Sequence, residues 1–215
     1  YRSRLVMMAL GIGGCTALIV AGFGLHESIF SILNEQFDHV FLYDATLGVD
    51  ADVEEETLSA VERYLADSPW VEDYLPASAT MLEVSSTGPT QNATMFAVDD
   101  LDRFTQFIRL GHRLDDESVT LPDNGVVITE KLAELLEVSI GDTIVLDGDK
   151  RVEAAVSDIA ENYVSHYVYA SEACYRSLFG EEPERNEMLL RYTGEAGEEE
   201  SDIVSSDLMA MDGVD

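Results

Sequence analysis

Cysteine is almost missing from this chain: Cys15 and Cys174 are the only two in 215 residues. Cys15 sits inside a long apolar run and Cys174 lies far beyond it, so no disulfide can staple the polar portion. That portion must stand on its own core. In an extracytoplasmic setting this is more typical of bacterial than of secreted eukaryotic modules. Basic residues are scarce as well, with 12 Lys+Arg against 43 Asp+Glu and a formal net charge of −31. A field of that sign repels nucleic acid and anionic lipid, which excludes both as partners. It suits a solvated surface, a cationic ligand or divalent ions. Histidine occurs only at positions 26, 39, 112 and 166, never at metal-ligand spacing, and Cys174 has no Cys or His at a usable offset.

The signatures of chemistry are also missing. Gly11, Gly13 and Gly14 form no nucleotide loop, because no strand precedes them and no acidic residue follows at the required distance. There is no Gly-Lys-Ser/Thr phosphate loop, no G-x-S-x-G and no S-x-x-K. The acidic clusters Asp147-Gly148-Asp149 and Asp115-Asp116-Glu117 lack the twelve-residue calcium-loop pattern. With so many carboxylates, chance pairs are guaranteed and carry no argument. No catalytic residue, cofactor or metal is expected. The sequon Asn92-Ala93-Thr94 reads as accidental.

What the chain does have is an apolar run. Residues 5–25 carry no charge, and as a helix at 1.5 Å per residue they extend about 31 Å, the thickness of a bilayer's hydrocarbon core. A helix in a soluble core rarely stays apolar on every face for that length. Arg2 and Arg4 precede the run, and all the carboxylates follow it. The positive-inside rule then places the N-terminus in the cytoplasm and the rest outside. The run exceeds a usual signal-peptide core and lacks an A-x-A-like exit, so a retained span is expected. Because the chain opens on Tyr1 and holds no second apolar run, further spans are expected outside it.

Within the span, Ala9, Gly13, Ala17 and Ala21 recur every four residues, a spacing that lets another transmembrane helix approach closely. Beyond Gly24, Leu25, Ile29, Ile32, Leu33 and Phe37 follow helical spacing between polar residues. Neither proline nor a strong cap separates them from the span. One rod is expected, with residues 26–37 as a stalk able to transmit motion as a flexible linker could not.

The outer part reads as α+β. A strand is expected over His39–Val49, with Val40, Leu42 and Asp44 on one face and Phe41, Tyr43 and Ala45 on the other. A helix follows over Glu54–Ala66, then strands over Tyr74–Ser85 and Thr90–Val98 around the turn Ser86-Thr87-Gly88-Pro89. Pro76 marks the opening of the first as edge or irregular. Next come a short helix over Asp100–Ile108, a polar loop over 111–124 and a strand ending on Thr129, which caps a helix to Leu136. In Ser139–Leu146, Gly141 supplies the positive φ of a turn that Asp142 caps, and a strand follows. A hairpin at Asp147–Lys150 returns through Arg151–Ile159. Then come a strand over Tyr163–Tyr169, a helix over Ser171–Phe179 capped by Ser171 and stopped by Gly180, and a strand over Glu187–Thr193. The stretch Glu195–Glu200 reads as a solvated loop, and Ser201–Met211 as a helix with Ile203, Val204 and Leu208 inward.

Two stretches carry a resemblance. Arg2–Ile29, with GIGGCTALIVAGFGLHESI, resembles the first span and outgoing helix of FtsX-like (MacB-type) ABC transporter permeases. Asn124–Leu146, NGVVITEKLAELLEVSIGDTIVL, is similar to a segment of that family's extracytoplasmic domain, a strand followed by LA…L…GDT and another strand. The resemblance implies an outer domain of a split α+β subdomain with a β-rich insertion: span 1–25, stalk 26–37, α+β parts 38–98 and 184–215, and insertion 99–183. It also implies a permease without an enzymatic site, driven by a separate cytoplasmic ATPase in a bacterial cell membrane. Its partners would be that ATPase, other transmembrane helices of the same permease or of a second copy, and an extracytoplasmic protein or a lipophilic or peptide substrate. The alternatives are a single-pass sensor or adhesion ectodomain and a membrane-anchored hydrolase.

Overall fold

The structure, a computed structural model, describes residues 2–50, 53–112 and 118–214. Helix α1 (Arg2–Glu35) runs without a break through the apolar stretch and on to a five-residue π-helical turn, Gln36–Val40. After it come β1 (Ala45–Gly48), α2 (Glu55–Asp67), β2 (Val71–Ser85), β3 (Gln91–Val98) and α3 (Leu101–Phe104). The second half holds β4 (Val126–Thr129), α4 (Glu130–Leu136), β5 (Thr143–Asp147), β6 (Arg151–Ala160), β7 (Tyr167–Ser171), α5 (Glu172–Phe179), β8 (Glu187–Tyr192) and α6 (Glu198–Met209).

The fold is α+β. Among the described residues the strands form one sheet in the order β1-β8-β2-β3-β7-β4-β6-β5, and β5 pairs back onto β2 through Glu83–Asp147, Val84–Leu146 and Ser85–Val145. That pairing closes β2, β3, β7, β4, β6 and β5 into a six-stranded ring. The exchange between layers happens inside β2. Val71–Ala77 pairs with β8 in a three-stranded sheet, and Ser78–Val84 pairs with β3 in the barrel. Pro76, whose ring nitrogen has no hydrogen to donate, sits in the half of β2 that pairs with β8 alone, just after the register shift between Val71 and Asp73.

Strict alternation along the strands sorts the side chains into three cores. The barrel interior takes Leu82, Val84, Met95, Val126, Ile128, Ile144, Leu146, Val156 and Val168, with Leu132 and Leu136 of α4 and Cys174 of α5 packed against it. The opposite face of β2, β3, β7 and β4 gives Leu75, Phe96, Val127 and Tyr169, covered by Val40, Phe41, Phe104, Phe107 and Ile108. The third core lies between the three-stranded sheet (Leu47, Met188, Leu190) and helices α2 (Val61, Leu65) and α6 (Val204, Leu208).

Several local expectations are corrected. His39–Val49 is not one strand: Val40 and Phe41 are both buried, and alternation fails because Phe41 bridges Ile108 while Leu42 N–H bonds the Phe107 carbonyl. The same pairing stops the helix expected to reach Ile108 at Phe104, since Arg109 N–H is drawn to the Val40 carbonyl. The strand expected over Tyr163–Tyr169 runs instead over Tyr167–Ser171. Asn162 ties its amide to the carbonyls of Val164 (2.6 Å) and Ser165 (3.1 Å), and Ser165 turns with φ +65°. Thr129 occupies the N-cap position but does not cap; its hydroxyl accepts from Tyr167 N–H at 3.3 Å. Helix α6 begins at Glu198, within the stretch expected to be loop. Three glutamates fill its first turn, where the helix dipole favours them, and Glu200 accepts from Gly197 N–H at 2.9 Å. Ile203 faces out, at 50% exposure, beside the buried pair Val204 and Leu208.

Candidate functional site

Helix α1 has no core of its own. Its most apolar 18-residue stretch has a mean hydropathy of 2.1, and none of that stretch is buried against the rest of the chain. Ala9, Gly13, Ala17 and Ala21 lie along one face, and a methyl group added at Gly13 or Gly24 would meet nothing within 4 Å. The Thr16 hydroxyl, the polar side chain at the centre, bonds back to the Ile12 carbonyl at 2.9 Å, so the helix satisfies it internally. Leu25 and Ile29 continue the exposed surface at 65% and 50%, and Phe30 stacks on His26 with ring centroids 4.5 Å apart. The backbone of Ile32, Leu33 and Phe37 continues the helix into the π turn; their side chains lie outside the described residues.

The chain turns inward at Gln36, which is fully buried. Its carbonyl accepts from Phe41 N–H at 2.8 Å, the long-range bond that makes this turn π-helical. Its side-chain Oε1 accepts from two successive backbone N–H groups, Tyr163 at 2.7 Å and Val164 at 3.0 Å. Its Nε2 donates to Asn162 Oδ1 at 2.7 Å. Neither Gln36 nor Asn162 stands out in the sequence. A single glutamine at a helix end makes no periodic signal, and its partner lies 126 residues away.

At the turn expected from the sequence, Gly141 has φ +95° and donates to the Val156 carbonyl at 2.8 Å. Asp142 accepts from Ser139 N–H at 2.8 Å, and its own carbonyl receives Val156 N–H at 2.8 Å. The turn is thus stitched to β6. Close by, Gly125 leaves little room for a side chain: a Cβ would lie 3.0 Å from both the Ala155 carbonyl and Ser157 Cβ.

The titratable groups are arranged for structure. Burial pushes the Cys174 thiol up, and its hydrogen goes to the Gly125 carbonyl at 3.3 Å. Tyr64 is pushed up to about 12, first by burial and then by its 2.7 Å hydrogen bond to Asp207. Glu187 is raised by burial beside the aromatic face that carries Tyr43 and Tyr167. Asp147 pairs with Arg151 at 2.8 Å and Lys150 with Glu181 at 2.6 Å, so the Asp147-Gly148-Asp149 turn is held by ion pairs. The other acidic cluster, Asp115-Asp116-Glu117, lies outside the described residues. No group of three or more metal-ligating side chains occurs among the described residues. The open clefts among the described residues include an acidic one of about 680 Å³ by Met81, Tyr175 and Glu181, and a more apolar one of about 530 Å³ by Trp70, Ile203 and Met211.

An acidic α+β domain here follows a helix long and apolar enough to cross a membrane. The model of the MacB-like periplasmic core domain matches residues 5–199, and the chain belongs to that family. It is thereby a component of an ABC transporter permease, a membrane protein with an extracytoplasmic domain in a system that includes an ATPase. The periplasmic region of MacB from Actinobacillus actinomycetemcomitans is similar in structure at 9% identity, with 79% of this chain and 86% of that one covered and a TM-score of 0.46. For the extracellular domain of the noncanonic ABC-type transporter YknZ from Gram-positive bacteria the figures are 14% identity, 79% and 98% coverage, and 0.45. No curated protein gives a sequence match.

Proposed function

We propose that this chain is the first span, stalk and outer domain of a permease that relays the work of a cytoplasmic ATPase to the far side of the membrane. The observation that carries this reading is the continuity of α1: one helix of 34 residues leads from the apolar run to Gln36, the first buried side chain among the described residues. A helix of that length is about 50 Å long and stiff. The N-terminus lies in the cytoplasm, on the side of Arg2 and Arg4, and the acidic domain lies outside. The ladder Ala9, Gly13, Ala17 and Ala21 packs against other helices of the same permease or of a second copy. Leu25, Ile29, Ile32, Leu33 and Phe37 belong to the transmitting segment. The work is spent on a lipophilic or peptide substrate, or on an extracytoplasmic partner protein. ATP hydrolysis belongs to the separate subunit, and the turn at Gly141 and Asp142 serves the fold.

Orientation is the first test. In cells carrying the Cys15→Ser chain, a membrane-impermeant thiol reagent should label Thr143→Cys directly and Ser3→Cys only after permeabilisation. Labelling of Ser3→Cys from outside would overturn the reading.

A further inference from the structure

Among the described side chains at the junction between helix and domain, Gln36 makes the bonds that reach furthest along the chain. Gln36 is buried completely, which is costly for a carboxamide unless its polar atoms are paired. Here three bonds of 2.7, 2.7 and 3.0 Å hold it, and all three go to residues 162–164. Two successive backbone N–H groups converging on one oxygen form a small nest that fixes the position of that oxygen. Asn162 in turn is fixed by its two bonds to Val164 and Ser165, and Ser165 holds the loop in a left-handed turn. This loop joins β6 directly to β7, and both are barrel strands. Any rotation or tilt of α1 at Gln36 must therefore either break the cluster or carry the ends of β6 and β7 with it.

A second attachment follows five residues on, where Phe41 bridges Ile108 and Leu42 bonds Phe107. It holds the chain after the π turn. By itself it leaves the direction of α1 free, because the turn lies between. The Gln36 cluster acts on the helix side of that turn. We infer that Gln36, clasped by Asn162 and the 163–164 amides, is the positioning residue that fixes the direction of α1 on the barrel and passes its movement to β6 and β7. Its use in transport rests on the reading of α1 as the transmitting helix.

Pulsed electron-spin distance measurements on the full chain in lipid nanodiscs test this without any ATPase, so failure here is distinct from failure of the transport reading. With Cys15→Ser, one spin-label pair spans helix and barrel (Ser28→Cys and Glu153→Cys), and a control pair lies within the outer domain (Glu153→Cys and Ser206→Cys); all three sites are exposed. With Gln36 intact, the helix–barrel distance distribution should be narrow. In Gln36→Leu it should broaden about twofold, because three bonds of one network are lost together, while the control pair stays unchanged. Asn162→Ala, which removes only the amide partner, should broaden it less. An unchanged helix–barrel distribution in both variants would overturn the inference. So would equal broadening of the control pair in both, which would make Gln36 a folding residue only.

Discussion

Replacing Leu146 by alanine probes the closed barrel at its seam. Leu146 is fully buried and pairs with Val84 of β2, where the ring closes. Its side chain meets the interior formed by Leu82, Ile144 and Val156. Leucine-to-alanine changes in cores cost about 2–5 kcal/mol, the larger values where the surroundings cannot collapse into the space. Six hydrogen-bonded strands around the site resist collapse, so about 4 kcal/mol is expected here. With a urea slope of about 3 kcal/mol per molar for a domain of this size, the midpoint should fall by about 1.3 M. Val145, its half-exposed neighbour on the other face of β5, should cost under about 1 kcal/mol as alanine. The probe is Trp70, the lone tryptophan, which packs in the third core rather than in the barrel. Because β2 runs through both layers, barrel and three-stranded sheet should unfold together and Trp70 fluorescence should report the full shift. A Leu146→Ala chain whose Trp70 midpoint stays in place would refute both the closure and the coupling of the layers.

Two further predictions follow from the same geometry. Burial raises the folded-state pKa of Glu187, and no ion pair offsets this among the described residues. Its neutral form is therefore favoured by the fold, and stability is present below its unfolded value of ~4.3 and lost as pH rises through the folded one. Glu187→Gln should melt above the parent at pH 7 and with it at about pH 4; a gain at both would contradict the burial argument. Glu137 ends α4 in the left-handed region at φ +57°. Glu137→Gly should raise stability by about 0.5–1 kcal/mol in chemical unfolding, and a loss would mean that its side chain holds something the backbone strain does not reveal.

The sequence made legible whatever is local. The length of the apolar run announces α1. The order Thr129–Leu136, Gly141, Asp142 announces the strand–helix–turn–strand of the barrel, and Ser171 caps α5 by accepting from Cys174 N–H at 3.0 Å. What escaped it is non-local. Closure depends on three residue pairs between β2 and β5, some sixty positions apart, and each half of β2 alternates as any strand would. Phe41 leaves its expected strand for Ile108, a partner invisible in its neighbourhood. Gln36 is the sharpest instance, a polar residue that reads as the solvent side of a stalk until its three partners are in place.

The central claim is that α1 works as one rigid transmitting element. Inserting Gly-Gly-Ser between Gly24 and Glu27, inside the continuous helix, breaks the rod without touching the outer core. In the reconstituted transporter with its ATPase, the insertion should abolish ATP-driven activity while the Trp70 unfolding midpoint stays at the parent value. ATP-driven activity equal to the parent's would contradict the account.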